Sequence, residues 1–326
     1  MYDVITVGSS TIDVFALADS ELIKIKTPYH EEELIAYPLG SKLLIKNLDF
    51  LTGGGGVNTA ISFSRLGFKV AYLGMTGQDT NSELIKQKLK KEKVTFLGKG
   101  SKTHRSGYSI ILDSIDGDRT ILAYKGANNY LKYNEINLKK LKTKWFYFSS
   151  MVEESFKTLE RLADFAVKNK IKIAFNPSNY LAKKGINYLN NILSKTNILI
   201  LNKEEACLLV GDKNISQMIV ALIKLGPKKV VITDGKNGAY TIDNSQLLHI
   251  HAHGIKSLEP TGAGDAFAST YVAGLIKRKA LVECLKLAAL NAGSVIQIRG
   301  ANEGLLSYSV LRRRLKKSPK VETKSI

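Results

Sequence analysis

Short runs of β-branched and other apolar residues alternate along the chain with segments in which apolar residues recur at helical spacing. Such runs predict buried strands at 4–8, 70–74, 145–150, 171–176, 198–202 and 230–234. Helical periods, among them 58–67 and 155–169, lie between most of these strands. Because strand and helix alternate at this spacing, the pattern predicts an α/β fold with a mainly parallel central sheet covered by helices on both faces.

Two segments interrupt the alternation and predict a second, smaller sheet. Residues 14–50 contain short extended pieces with no clear helical period, and residues 105–125 read as a hairpin around Asp116-Gly117-Asp118. We therefore expect one domain over 1–312 with a small β-sheet inserted at about 14–50 and 105–125. The basic tail, 313–326, is expected to fray.

Composition narrows the classes of function. The chain has 326 residues and 44% hydrophobic content, enough for a large buried core. It has no apolar stretch of about 18 residues and no signal-peptide pattern at its start, and its two cysteines fit a reducing compartment. We therefore expect a cytoplasmic protein with no membrane partner.

The net charge of +19 raises the question of whether the protein binds nucleic acid. The excess is mostly lysine spread along predicted helix faces, without the interleaved aromatic residues of a single-strand groove. We therefore expect no nucleic-acid partner, although a positive field favours an anionic ligand such as a nucleotide phosphate.

Two glycine-containing loops each lead into a predicted helix. In "LTGGGGVNTA" four glycines precede Asn58, and in "EPTGAGDAF" small residues precede Asp265. A bare loop before a helix aims backbone N–H groups at one point, where the helix dipole adds positive charge, so it can cradle phosphate oxygens. A carboxylate beside such a cradle suits the proton acceptor for an attacking hydroxyl group. Taken separately, the first loop is also compatible with a plain flexible turn and Asp265 with an ordinary N-cap.

The two loops together, about two hundred residues apart in an α/β chain, resemble the two signatures of the ribokinase-like (PfkB) carbohydrate kinase family. Further matches cover nearly the whole chain: "GSSTID" after the first strand, "LGMTGQDTNSE", "LNKEEA", "ITDGKNGAY" and "NAGSVIQIRGA". The resemblance implies a three-layer α/β/α sandwich in which the small inserted sheet is a lid. It also implies ATP-dependent transfer of the γ-phosphoryl group to a hydroxyl of a small sugar.

The same resemblance implies roles for individual residues. Asp265 is the expected catalytic base, and the anion hole is expected to consist of Gly262, Ala263 and Gly264. Expected to bind the substrate are Asp13, Gly54, Gly55 and Asn58. The nucleotide pocket is expected to be lined by Thr233, Gly235, Gly238 and Asn291. For Asn291 the alternative is a plain polar helix residue. For Lys125 a solvated lysine is favoured, with contact to a phosphate as the alternative.

Metal sites follow from the resemblance in the same way. Asn202 and Glu205 are expected to organise Mg²⁺ through water, with a helix cap and first-turn acid as the alternative interpretation. Glu259 stands at a position that suggests a monovalent cation, K⁺, although the sequence here is "EPTGAGD" where the family usually has "DTxGAGD". Many family members carry a lysine at position 55, which is glycine in this chain.

Alternatives stay open at this point. A nucleoside kinase of the same fold would place aromatic residues over its substrate, for which Phe15 and Tyr37 are candidates. A non-catalytic sugar- or nucleotide-binding protein is less favoured because Asp265 is present, and a dinucleotide binder is set aside because no G-x-G-x-x-G follows the first strand. Alternating apolar positions in the lid predict a homodimer through that sheet.

Overall fold

The structure is a computed structural model that describes residues 1–18, 21–26, 31–113, 119–252, 254–255 and 258–325. The predicted turn Asp116-Gly117-Asp118 therefore lies outside the described residues. None of the described helices, taken singly, has the length and the apolar content of a membrane span.

A ten-stranded sheet forms the centre of the molecule. Its parallel strands, in spatial order, are β15 (Lys229–Thr233), β14 (Ile198–Asn202), β13 (Lys172–Phe175), β12 (Thr143–Phe148), β1 (Tyr2–Val7), β6 (Val70–Leu73) and β8 (Thr95–Phe96). Antiparallel strands extend it beyond β15 as β16 (Ala239–Asp243), β17 (Gln246–Ile250) and β18 (Val321–Ser325). The predicted parallel sheet is confirmed.

Helices cover both faces of this sheet. One face carries α1 (Gly55–Arg65), α2 (Thr80–Lys91), α8 (Ala263–Ile276), α9 (Leu281–Val295) and α10 (Tyr308–Arg314). The other carries α3 (Glu153–Lys168), α4 (Ser178–Ala182), α5 (Ile186–Leu193), α6 (Lys203–Val210) and α7 (Ile215–Lys224). Each face has its own apolar core, and successive residues of a strand alternate between them: Val4 packs in one, Ile5 in the other.

A separate four-stranded sheet confirms the strands predicted outside the central sheet. It consists of β2 (Thr11–Ala18), β5 (Ile45–Gly53), β10 (Gly107–Asp113) and β11 (Arg119–Tyr124), in the order β11-β10-β2-β5. Two short pairs accompany it: β3 (Glu21–Lys26) with β4 (Glu31–Ala36), and β7 (Met75–Gly77) with β9 (Lys99–Ser101). We call the four-stranded sheet the lid sheet.

The carboxyl terminus, where a frayed tail is expected, contains a further strand. Strand β18 pairs antiparallel with β17 from Val321 to Ser325, and Val321 packs against the core. The physical reason is that β17 would otherwise leave a row of backbone N–H and C=O groups at the sheet edge, which a further strand satisfies.

The carboxyl ends of the parallel strands gather polar residues at one edge of the sheet. Ser149 follows β12, Asn176 follows β13, Asn202 ends β14 and Thr233 ends β15. Ligands of open parallel sheets bind at this edge. The helices α1 and α8 begin beside it, so both glycine-containing loops face the same region.

Candidate active site

The loop before α8 is shaped by Gly262. This residue caps the helix with a φ of 83°, a left-handed conformation that favours glycine. A Cβ atom there would lie 2.3 Å from the carbonyl oxygen of Ala301. Position 262 therefore favours glycine over any other residue, for both conformational and steric reasons.

The backbone amides of this first turn differ in their hydrogen bonding. Ala263 donates its N–H to the carbonyl oxygen of Pro260 at 3.2 Å. Among the described residues, the amides of Gly262, Gly264 and Asp265 have no such acceptor. The anion hole at 262–264 stays a prediction; in this turn Ala263 already has a partner, and the amides without a backbone acceptor among the described residues are those of Gly262, Gly264 and Asp265.

A chain of buried amides positions Asp265. The Nδ2 of Asn58 donates to its Oδ2 at 2.9 Å, and the Nδ2 of Asn302 donates to the Oδ1 of Asn58 at 2.9 Å. Asn302 also donates to the carbonyl oxygen of Thr52 at 2.7 Å. Both polar atoms of the Asn58 side chain are therefore engaged with protein groups. Asn302 comes directly after the segment "NAGSVIQIRGA", and no hydrophobic periodicity distinguishes it in the sequence.

Two carboxyl groups at the site have altered proton affinity. Burial raises the pKa of Asp265; the hydrogen bond from Asn58 opposes this, and the charge of Asp13 adds to it. Burial also raises the pKa of Asp13, against hydrogen bonds with Thr11 and Ser109 and the nearby charge of Lys125. Asp265 is thus a better proton acceptor than an exposed aspartate.

Two of the predicted substrate-binding glycines lie beside these acids. The nearest atoms to a Cβ on Gly55 would belong to the Ser149 side chain, at 3.1 Å, and to the Oδ1 of Asp265, at 3.4 Å. Gly54 has a φ of 90°, and a Cβ there would lie 2.6 Å from the carbonyl oxygen of Ser9. Gly55 lies next to Asp265 in the wall of one cavity, and Gly54 lets the chain pass close to the end of β1.

A polar cavity of about 230 Å³ opens in front of Asp265. Besides Asp265 and Gly55, its walls include Lys125, Asn128, Ser149, Asn176, Ser178 and Tyr180. Within the described chain, the hydroxyl oxygens of Ser149 and Ser178 are buried without a protein partner. Such groups need a hydrogen-bonding occupant, because an unpaired buried hydroxyl is costly.

Lys125 corrects one expectation. It is half-buried in the wall of this cavity, with its ammonium 4.3 Å from the centre of the Tyr180 ring. Burial lowers its pKa, and the charge of Asp13 opposes the change. The prediction of a solvated lysine is wrong, because Lys125 directly follows β11 and its side chain lies against Tyr180 in the cavity wall.

A second cavity, of about 450 Å³, lies on the other side of the 262–265 loop. It is mostly apolar and is lined by residues that include Thr233, Gly235, Gly238, Ala263, Gly264 and Phe267. The predicted Thr233, Gly235 and Gly238 are therefore brought together. The predicted Asn291 does not line this cavity. Its side chain is fully buried, donates to the Thr270 hydroxyl at 2.7 Å and accepts from the Leu306 amide at 2.9 Å. Its alternative interpretation, a polar helix residue, fits this position.

The expected Mg²⁺ residues form a helix cap. The Oδ1 of Asn202 accepts from the Glu205 amide at 2.8 Å, and the Oε2 of Glu205 accepts from the Asn202 amide at 2.9 Å. Glu205 is buried, and burial raises its pKa to about 7. The helix cap is by itself a sufficient structural reason for Asn202 and Glu205 at these positions. A cation near the Glu205 carboxyl group would favour its ionised form.

Glu259 lies buried beneath the loop that precedes α8. Its Oε1 accepts from the Thr261 amide at 2.9 Å, a contact that shapes the turn before α8. The monovalent cation suggested for this position stays a prediction.

Comparison with known proteins gives one family match and a consistent set of relatives. Residues 4–307 match the pfkB family of carbohydrate kinases. A protein of Archaeoglobus fulgidus described as an uncharacterized sugar kinase is 26% identical over 250 residues, covering 75% of this chain and 98% of that one.

Solved structures share the fold. Arabidopsis thaliana ribokinase complexed with ribose and ATP has a TM-score of 0.80 at 21% identity, over 97% of this chain and 99% of that one. Adenosine kinase from Sinorhizobium meliloti has a TM-score of 0.80 at 22% identity, over 96% of this chain and 99% of that one. These matches confirm the predicted three-layer fold with its small additional sheet.

Proposed function

The chain belongs to the pfkB family of carbohydrate kinases, and from that premise we propose that it transfers the γ-phosphoryl group of ATP to a hydroxyl of a small sugar. One observation carries the proposal. The first turn of α8 is a wall shared by two cavities: Asp265 faces the polar one, and Ala263 and Gly264 line the apolar one. A phosphoryl group passing from a nucleotide to a sugar has to cross that turn.

In this proposal Asp265 is the catalytic base. Its carboxylate accepts the proton of the sugar hydroxyl as the hydroxyl oxygen attacks the γ-phosphorus, and the bond from that phosphorus to the ADP oxygen breaks. The free amides of Gly262, Gly264 and Asp265 stabilise charge on the transferring group. Asn58 keeps the carboxylate in place through its 2.9 Å hydrogen bond.

Glu205 fits a role near Mg²⁺. It stands at the carboxyl end of β14, and its buried carboxyl group has a pKa of about 7, so a dication nearby would favour its ionised form. We propose that Glu205 accepts a hydrogen bond from water bound to the ion, with Asn202 fixing its orientation. When bound, Mg²⁺ neutralises charge on the phosphates.

The polar cavity favours a sugar over a nucleoside. Its volume of about 230 Å³ is below the range of about 300–1,000 Å³ typical of sites for larger ligands. Its walls supply hydroxyl, amide and ammonium groups, and Tyr180 is the aromatic residue among those named above. Phe15 is fully buried in the lid sheet, and neither it nor Tyr37 belongs to the walls of this cavity.

The lid sheet also supports a homodimer as part of the proposal. Leu48, Phe50 and Leu122 are 45%, 57% and 53% exposed there, although they are large and apolar. A second copy of the chain would cover them. Sedimentation velocity at micromolar concentration should show a dimer, and a monomer alone would contradict this arrangement.

The experiment that tests the proposed activity is a screen of acceptors. ADP release from the purified protein with Mg²⁺ and ATP is measured over pentoses, hexoses, sugar phosphates and nucleosides. We expect saturable turnover with one or a few sugars. A higher kcat/KM for a nucleoside would instead support the nucleoside kinase, and no turnover with any of these acceptors would contradict the proposal.

A further inference from the structure

Three side chains suited to metal binding meet where the carboxyl-terminal strand joins the central sheet. His249 and His251 are two residues apart in and just after β17, and Glu322 of β18 lies directly opposite His249. One ligand atom from each residue lies within 4.8 Å of the other two. The pairing of β18, which the sequence did not predict, is what brings the carboxylate to the histidines.

His249 is held in the tautomer that a metal requires. Its Nε2 lies 2.8 Å from the carbonyl oxygen of Asn237, which can only accept, so Nε2 carries the proton. In the neutral ring Nδ1 then has a free lone pair, and Nδ1 lies 4.0 Å from the Oε2 of Glu322. A histidine that donates its other N–H to a backbone carbonyl is the usual arrangement at metal sites.

The ring of His249 is also fixed in orientation. It stacks on Tyr240 with 4.1 Å between ring centres and 7° between planes, and its side chain is only 12% exposed. A ligand that is already ordered loses little conformational freedom when an ion binds.

The spacing of the donor atoms suits one shared ion. Two atoms that each lie about 2.0–2.2 Å from the same ion are about 3–4 Å apart at ordinary coordination angles. The Nε2 of His251 is 2.9 Å from the Oε1 of Glu322, and the Nδ1 of His249 is 4.0 Å from the other carboxylate oxygen, Oε2. Small rotations of His251 and Glu322, which are 51% and 48% exposed, would complete the geometry.

We propose that His249, His251 and Glu322 bind a divalent transition-metal ion such as Zn²⁺, which fastens β18 to β17. Two imidazole nitrogens and one carboxylate suit Zn²⁺ and its neighbours in the first transition series, whereas Mg²⁺ prefers oxygen ligands. The site is therefore separate in chemistry from the Mg²⁺ that the proposed phosphoryl transfer uses. His251 also belongs to the wall of the apolar cavity, so the ion would lie at the rim of that cavity.

The test is calorimetric titration of the full-length protein with ZnCl₂ in the absence of nucleotide. We expect one saturable site, and a loss of affinity of at least about 10-fold in both His251→Ala and Glu322→Gln. His104→Ala is the matched control, because His104 stacks on Tyr130 away from the cluster and its removal should leave the affinity unchanged.

Hydrogen exchange provides a second measurement that does not depend on catalysis. Zn²⁺ should slow exchange of the amides of Val321–Ser325 in the wild-type protein and leave them unchanged in Glu322→Gln. The proposal is overturned if the wild type shows no saturable Zn²⁺ binding, or if both cluster variants bind Zn²⁺ as tightly as the wild type does.

Discussion

Replacing Asn58 by alanine should weaken catalysis most strongly at acidic pH. The variant removes the 2.9 Å hydrogen bond to Asp265, while Asn302 keeps its 2.7 Å bond to the carbonyl oxygen of Thr52 and is not left without an acceptor. A hydrogen bond to a charged group contributes about 1.5–3 kcal/mol. Because this bond favours the ionised carboxylate, its loss should lower kcat/KM by about 10- to 100-fold at pH values where Asp265 is partly protonated.

The assay is the dependence of kcat/KM on pH. The raised pKa of Asp265 predicts that activity falls as pH decreases through that pKa, and the fall should begin at higher pH in Asn58→Ala. Ser62→Ala is the matched control, since Ser62 lies one turn further along α1 and bonds to Ser269 of α8 at 2.6 Å. If Asn58→Ala and Ser62→Ala have the same profile, Asn58 does not position the base.

Three further changes test other parts of the site. Lys125→Met should raise KM for the sugar by about 10-fold or more and leave KM for ATP unchanged. The reason is that Lys125 lines the polar cavity and not the apolar one. Equal changes in the two KM values would contradict this. Gly262→Ala should lower the free energy of unfolding by at least about 1–3 kcal/mol in denaturant titrations, since alanine is strained at a φ of 83° and its Cβ would also clash with the Ala301 carbonyl oxygen. An unchanged midpoint would count against the loop geometry. In Glu205→Gln, stability should lose part of its pH dependence. Folding raises the pKa of Glu205 from 4.5 to about 7. Between these two pH values the Glu205 carboxyl group is ionised in the unfolded chain but protonated in the folded protein. The free energy of unfolding therefore falls as pH rises, by on the order of 3 kcal/mol in total. Thermal unfolding of both proteins from pH 5 to 8 measures the difference, and parallel curves would refute it.

Periodicity predicted the framework of the fold because buried strands and amphipathic helices leave their spacing in the sequence. The strand at 198–202 and the helix period at 155–169 correspond closely to β14 and α3. The edge strand β18 left no such signal, since residues 321–325 are mostly exposed and gain their order by pairing with β17.

The site was less predictable where its geometry depends on loops. Asp265 and Gly55 stand out because small residues precede a helix, and the structure brings both to one cavity. Lys125, Ser149 and Asn302 carry no local pattern: their burial follows from how separate strands and loops meet. Asn291 is the reverse case, a residue in a recognised segment whose side chain faces the core instead of the cavity.

The most direct measurement is turnover of Asp265→Asn beside its affinity for ATP. Asparagine has the same shape and can still accept from Asn58, but it cannot take up the proton of the acceptor hydroxyl. We expect kcat to fall by about 10²- to 10⁴-fold while the Kd for ATP, measured by calorimetry, stays the same. Turnover close to that of the wild type would contradict Asp265 as the base and, with it, the transfer of a phosphoryl group across the first turn of α8.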